Sequence, residues 1–161
     1  QYFNLKRYFK YFEESGETPF TPALPLFYAF QEALEMVLEE GLEKRIERHR
    51  RCANAFYNGL SELGFTPFAR PEARSNVVIA LNYVPGVEDK IFRKILSEHF
   101  RVLIAGGFGE LKGKVFRIGS MGMVDRYHVI RTMSSIMSTL NIMGINTKSE
   151  AVPVAIKSLN S

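Results

Sequence analysis

Residues 76–120, NVVIALNYVPGVEDKIFRKILSEHFRVLIAGGFGELKGKVFRIGS, decide the fold. The opening NVVIALNYV (76–84) is rich in β-branched side chains and reads as a strand. Pro85-Gly86 marks a turn. From Glu88 to Phe100 the spacing becomes helical, with Ile91, Ile95, Leu96, His99 and Phe100 expected to face inward. Val102 to Ala105 reads as a short strand, Gly106, Gly107 and Gly109 open a loop, and Lys114 to Ser120 reads as another strand. Alternation along that last strand puts Phe116 and Ile118 on one face and Val115, Arg117 and Gly119 on the other.

Upstream, Phe65 to Phe68 is a further short strand, and Gly64 is a natural helix C-cap. Before it, apolar positions 34, 38, 42, 46, 53, 56, 60 and 63 recur by threes and fours, with His49 filling the gap. This predicts one long helix ending near Leu63, with Gly41 the point where it would bend or break. Thr21 followed by Pro22 reads as its N-cap and first helical residue. The run KRIERHRR (44–51) reads as a solvated helix face.

At the N-terminus, Asn4 and Gly16 bracket a short helix whose Leu5, Tyr8, Phe9 and Phe12 share a face. That apolar load implies packing against something larger. Downstream, Asp125 caps a helix to about Met143, with Val129, Met133, Ile136, Met137 and Leu140 on its inner face. The expected architecture is α+β: a small, mainly antiparallel sheet with helices on one face, preceded by a long linker helix. The expected segments are 1–22, a linker helix over 23–63, a small domain over 64–143, and a tail over 144–161 that the pattern does not place.

The 161 residues suit one domain or two small ones; 46% are hydrophobic and 24% charged. That mix belongs to a globular chain and excludes a disordered one. No run reaches the ~18 apolar residues of a membrane span, and no secretory leader is visible. Position 1 is Gln rather than Met, in mid-pattern, which reads as part of a longer chain. The single cysteine, Cys52, cannot form an internal disulfide, a cysteine zinc site or an iron–sulfur cluster; it fits a reducing, cytoplasmic setting. The net charge is +4, and the basic residues of the second half are scattered, which argues against a nucleic-acid binder. His49, His99 and His128 lack metal-ligand spacing, so no metal site is expected.

Three places could carry chemistry. TPFTP (18–22) is either an ordinary cap or an anion site built from the Thr21 hydroxyl and free backbone N–H groups. Arg117, inside an apolar strand, needs a carboxylate or a phosphate; this is either a structural salt bridge or a binding fork. The loop AGGFGELKGK (105–114) is neither a P-loop nor a dinucleotide fingerprint. It is either a plain turn region or a close backbone approach to a ligand.

The stretches YFNLKRYFKYFEESGETPFTP, LEEGLEKRIERHRRCANAFYNGLSELG and IAGGFGELKGKVFRIGSMGMV together resemble the C-terminal part of class V aminotransferases, most closely the serine–pyruvate and alanine–glyoxylate group. The resemblance covers about residues 1–143. It implies the small domain and linker of a fold-type I enzyme using pyridoxal phosphate, acting on a small amino acid and a 2-oxo acid as a homodimer, without nucleic acid or membrane. Arg117 matches the arginine that clamps the substrate α-carboxylate, and Gly106 and Gly107 match the loop beside the substrate pocket. Thr21 matches the threonine reaching the cofactor phosphate of the neighbouring subunit. Where a tyrosine is expected in that loop, this chain has Phe20, with Thr18 nearby. No lysine matches the Schiff-base motif, which lies upstream in the family, so the chain alone is expected to be inactive.

Three rival readings follow. A cysteine-desulfurase-like member needs a mobile cysteine, whereas Cys52 sits in mid-helix. A hydrogenase subunit needs several cysteines. A non-catalytic α+β binding or dimerisation module needs nothing more than the fold.

Overall fold

The computed structural model describes residues 2–147 and 150–161. It comprises two compact units, Gln1–Leu42 and Glu43–Ser161.

In the first unit, α1 (Leu5–Ser15) ends at Gly16, which adopts φ 69° and donates its N–H to the Phe12 carbonyl. A left-handed residue there costs glycine nothing. Asn4 holds the N-cap position, but its side chain makes no capping hydrogen bond. The next helix, α2 (Leu24–Glu40), corrects the sequence reading at its start: Ala23, not Thr21, is the N-cap. The reason is Pro25. A helix beginning at Pro22 would put Pro25 at the first position that must donate to an i−4 carbonyl, where its ring would strike the Thr21 carbonyl. Starting at Leu24 keeps Pro25 inside the first turn.

The single helix expected over 23–63 is two helices. Gly41, at φ 84° and ψ 136°, closes α2 with its N–H on the Val37 carbonyl, and α3 (Leu42–Glu62) starts at the next residue. No residue of α1 or α2 is buried; Phe9, Phe12, Leu26, Phe27 and Leu38 are each more than 60% exposed.

In the second unit, α3 is followed by β1 (Thr66–Pro67), β2 (Val78–Asn82), α4 (Asp89–Phe100), β3 (Ala105–Gly106), β4 (Val115–Gly119), α5 (Arg126–Ile142) and α6 (Ala151–Leu159). The strands form one antiparallel sheet in the order β1-β2-β4-β3. In the β2–β4 register, Ile79 faces Ile118 and Leu81 faces Phe116. All four are buried and join Phe56 and Leu60 of α3, Phe92 and Leu96 of α4, Met133 and Ile136 of α5, and Ala155 of α6 in one core. Phe65, Phe92, Phe116 and Tyr83 pack there as rings 5.0–6.0 Å apart. Fully burying one such ring is worth roughly 2–3 kcal/mol.

Several local expectations change. In α4 the inner stripe is Phe92, Leu96 and Phe100, spaced i, i+4, whereas Ile91 is exposed. The strand expected over 102–105 shrinks to β3, because Arg101 turns left-handed (φ 55°) and Val102 donates to the Leu96 carbonyl to finish α4. Within KRIERHRR, Glu47 holds Arg50 and Arg51, and their hydrogen bonds bring its carboxyl down to about 2. Arg48, however, turns inward to the carbonyls of Val124 and Gly122, and His49 is buried.

The tail contains a helix: α6 packs on α5, with Ala151 and Ala155 fully buried. Residues 148 and 149 of that tail lie outside the described residues, as does Gln1. Gly59 of α3 makes room for α6, since a Cβ there would lie 2.8 Å from Met133 Cε and 2.9 Å from the Ala151 carbonyl oxygen. Among the described residues, no helix is long and apolar enough to cross a membrane.

Candidate functional site

Arg117 is the third residue of β4 and lies on the sheet face opposite the core. Its cross-strand neighbours are Ala80 on one side and Ala105 on the other. Two methyl groups flank the long side chain, so the guanidinium has room to lie along the sheet. Its Nε and Nη2 both donate to the Gly106 carbonyl, at 3.2 and 3.0 Å. The Phe108 ring lies 5.1 Å from Cζ, a cation–π contact. Among the described residues, Arg117 forms no ion pair, so the salt-bridge alternative finds no acid there.

The arrangement uses one edge of the guanidinium and leaves the other. A single carbonyl takes the Nε–Nη2 side. Among the described residues, the terminal edge, with Nη1 and the second Nη2 proton, has no acceptor. Two parallel N–H groups fit the two oxygens of a carboxylate. Lysine lacks this fork.

Gly106 and Gly107 build the anchor for backbone reasons. A Cβ on Gly107 would stand 2.1 Å from the Leu111 carbonyl oxygen, so no other residue fits without moving the loop. The Gly107 N–H donates to the Val115 carbonyl at 2.7 Å and ties the loop to β4. Gly106 pairs with Phe116, so its missing side chain would point to the core face. There a Cβ would meet Asp89 Oδ1 at 3.1 Å and Arg93 Nε at 3.3 Å.

Those two side chains belong to a half-buried ionic cluster. Arg93 Nε and Nη2 donate to both Asp89 oxygens at 2.9 and 2.8 Å, and the Tyr83 hydroxyl donates to Oδ1 at 2.7 Å. The Arg93 hydrogen bonds, helped by Tyr83, hold the Asp89 carboxyl below its usual range. Burial, and then the bond to Asp89, pushes the Tyr83 phenol well above its usual value.

Thr21 belongs to the first unit. It is exposed, and its hydroxyl makes no hydrogen bond among the described residues. Its loop is fixed from behind: Phe20 packs against Tyr2 and Tyr8, with the Arg7 guanidinium 4.7 Å above its ring, and Thr18 Oγ1 donates to the Phe20 carbonyl.

The structure thus brings Arg117, Gly106 and Gly107 together. Phe108, Ala80, Ala105 and the Tyr83–Asp89–Arg93 cluster were not singled out in the sequence. The available signals were small residues in strands flanking an arginine strand, and an Asp-x-x-x-Arg spacing in the first turns of α4.

No family model matches the chain. It is 43% identical over 154 residues to an uncharacterized aminotransferase of Methanocaldococcus jannaschii, covering 96% of this chain and 40% of that protein. It is 33% identical over 141 residues to the small subunit of a soluble hydrogenase from Synechococcus sp., covering 88% and 36%. The crystal structure of ureidoglycine–glyoxylate aminotransferase from Bacillus subtilis superposes with a TM-score of 0.87 at 29% identity, over 99% of this chain and 42% of that one. The chain therefore spans about 40% of the length of the proteins it matches. Sequence motifs, sheet topology and these matches agree: the chain belongs to the class V aminotransferases and constitutes their C-terminal domain.

Proposed function

We propose that the whole protein is a transaminase that uses pyridoxal phosphate to move an amino group from a small amino acid, such as serine or alanine, to a 2-oxo acid, pyruvate or glyoxylate. In it, this chain supplies the grip on the substrate's α-carboxylate. The observation that carries the reading is Arg117: anchored on one edge, stacked on Phe108, and left with a bidentate edge and no internal acid.

Bound pyridoxal phosphate supplies the electron sink for charge released from the substrate Cα–H bond. The chain's own residues do the positioning. Arg117 binds the carboxylate through Nη1 and Nη2 and fixes the rotation about the Cα–carboxylate bond, so that one Cα–H is presented for removal. The Gly106 carbonyl keeps the guanidinium from swinging. Thr21 supports a role in holding the cofactor phosphate of a neighbouring subunit, since its hydroxyl is exposed and uncommitted; Pro25, by delaying α2, leaves it there as a loop hydroxyl rather than a helix cap. Phe20 serves as the ring that seats this loop.

The exposed apolar faces of α1 and α2 support packing of residues 1–22 on a cofactor domain, with residues 23–63 linking it to the small domain over 64–143 in a cytoplasmic homodimer. No lysine here matches the family's Schiff-base motif, which supports a catalytic lysine lying elsewhere in the whole protein and no activity for this chain alone. A desulfurase-like role fits less well: Cys52 is buried in α3, and burial pushes its thiol up. The hydrogenase label of the Synechococcus relative finds no support in a chain with one cysteine.

The test is Arg117→Lys in the whole protein. Keeping the charge but losing the fork costs about 2 kcal/mol, so KM for the amino acid rises roughly thirtyfold while cofactor loading is unchanged. Unchanged KM and turnover would refute the clamp.

A further inference from the structure

Asp89 and its partners lie on the core side of the same glycine whose carbonyl anchors Arg117 on the open side. Gly106 pairs with Phe116, which faces the core, while Ala105 pairs with Arg117, which faces away. One residue of backbone therefore separates the two arginines. The pair fills the space beside the bare Gly106 backbone: a Cβ added there would lie 3.1 Å from Asp89 Oδ1 and 3.3–3.4 Å from the Arg93 guanidinium, tighter than ordinary contact. The pair is itself held in place: Arg93 grips both oxygens of Asp89, Tyr83 donates to one of them, and the Tyr83 ring packs against both Phe92 and Phe116. Asp89 also sits in the first turn of α4, where the helix dipole favours a carboxylate.

We propose that the Tyr83–Asp89–Arg93 cluster is a positioning network for the carboxylate clamp, fixing the Gly106 carbonyl and through it the direction of the Arg117 fork. The inference rests on the clamp reading given above. None of the three residues touches substrate; they act by setting where Gly106 stands. Asp89 lies between the other two and is the member whose loss frees both.

The test uses the whole protein loaded with pyridoxal phosphate and the variants Asp89→Asn and Tyr83→Phe. Asparagine keeps the shape but cannot hold Arg93 by two charge-assisted bonds. The expected result is a KM for the amino acid, and a dissociation constant for propionate measured by calorimetry, each raised about tenfold in D89N, less in Y83F, with kcat changed far less. The decarboxylated amine of the same amino acid, which has nothing to place on Arg117, separates positioning from general damage. Its slow turnover is expected to be the same in D89N and in the parent. In an Arg117→Lys background, D89N is expected to add nothing.

Equal losses with the amino acid and the amine, or an additive double variant, would overturn the proposal. If D89N does not fold, Y83F with the same pair of substrates decides it. If R117K itself leaves amino-acid binding unchanged, the clamp reading fails. If R117K weakens binding but D89N and Y83F do not, the positioning network alone fails.

Discussion

Replacing Gly107 with alanine measures how tightly the loop between β3 and β4 is closed. The new Cβ would lie 2.1 Å from the Leu111 carbonyl oxygen and 2.7 Å from its carbon. Ordinary carbon–oxygen contact requires Leu111 to retreat by about 1 Å. That carbonyl accepts from the Lys114 N–H at 3.0 Å, and Gly107 itself donates to Val115. Losing the first bond costs about 1 kcal/mol. Overpacking with backbone displacement adds about 1–3 kcal/mol. The expected loss is about 2–4 kcal/mol, equivalent to a Tm lower by roughly 10 °C for a unit of this size. Gly109→Ala is the control, because Gly109 has a left-handed φ of 56° but open space around it. Its cost is backbone strain alone, about 1–2 kcal/mol. Urea unfolding followed by circular dichroism reads both. A G107A loss no larger than that of G109A would refute the idea that backbone approach, rather than turn conformation, selects glycine at 107.

Asp89 contributes acid-sensitive stability. Its carboxyl is lowered in the folded chain, so the contribution is complete above the unfolded-state value near 4 and fades as pH falls through the lower folded value. D89N is expected to be less stable at pH 7 and to lose less on acidification than the parent. Asp125 caps α5 by accepting the His128 N–H at 3.0 Å, so Asp125→Ala should cost about 1 kcal/mol in urea unfolding. Cys52 is 2% exposed with its thiol pushed up by burial, so it should react with a thiol reagent only as fast as the domain opens. Labelling at the rate of a free cysteine would place it wrongly.

The sheet was legible in the sequence because β4 announces its two faces. Phe116 and Ile118 alternate with Arg117 and Gly119, and the structure keeps that alternation. The inner face of α5 was legible for the same reason, since Val129, Met133, Ile136 and Leu140 are all buried. Three features were not. The start of α2 depends on where Pro25 can stand, a constraint that outweighs the Thr-Pro cap signal. The helix at 151–159 is short, carries Pro153 in its first turn, and owes its place to tertiary packing on Gly59 and α5 rather than to periodicity.

The third concerns the site. Arg117 was conspicuous as a lone charge in an apolar strand. What gives it direction was not: the Gly106 carbonyl, the Phe108 ring and the Asp89–Arg93 pair are brought together by strand register and by α4, which no local pattern encodes. Phe92, the buried centre of that helix face, was missed because Ile91 beside it fits the same helical spacing.

The most direct test of the clamp is a structure of the whole protein with an amino-acid substrate or unreactive analogue bound. Both carboxylate oxygens are expected about 3 Å from Arg117 Nη1 and Nη2, with the Gly106 carbonyl still on Nε. A substrate carboxylate held by another cation, with the terminal edge of Arg117 paired to an acid of the protein, would contradict it.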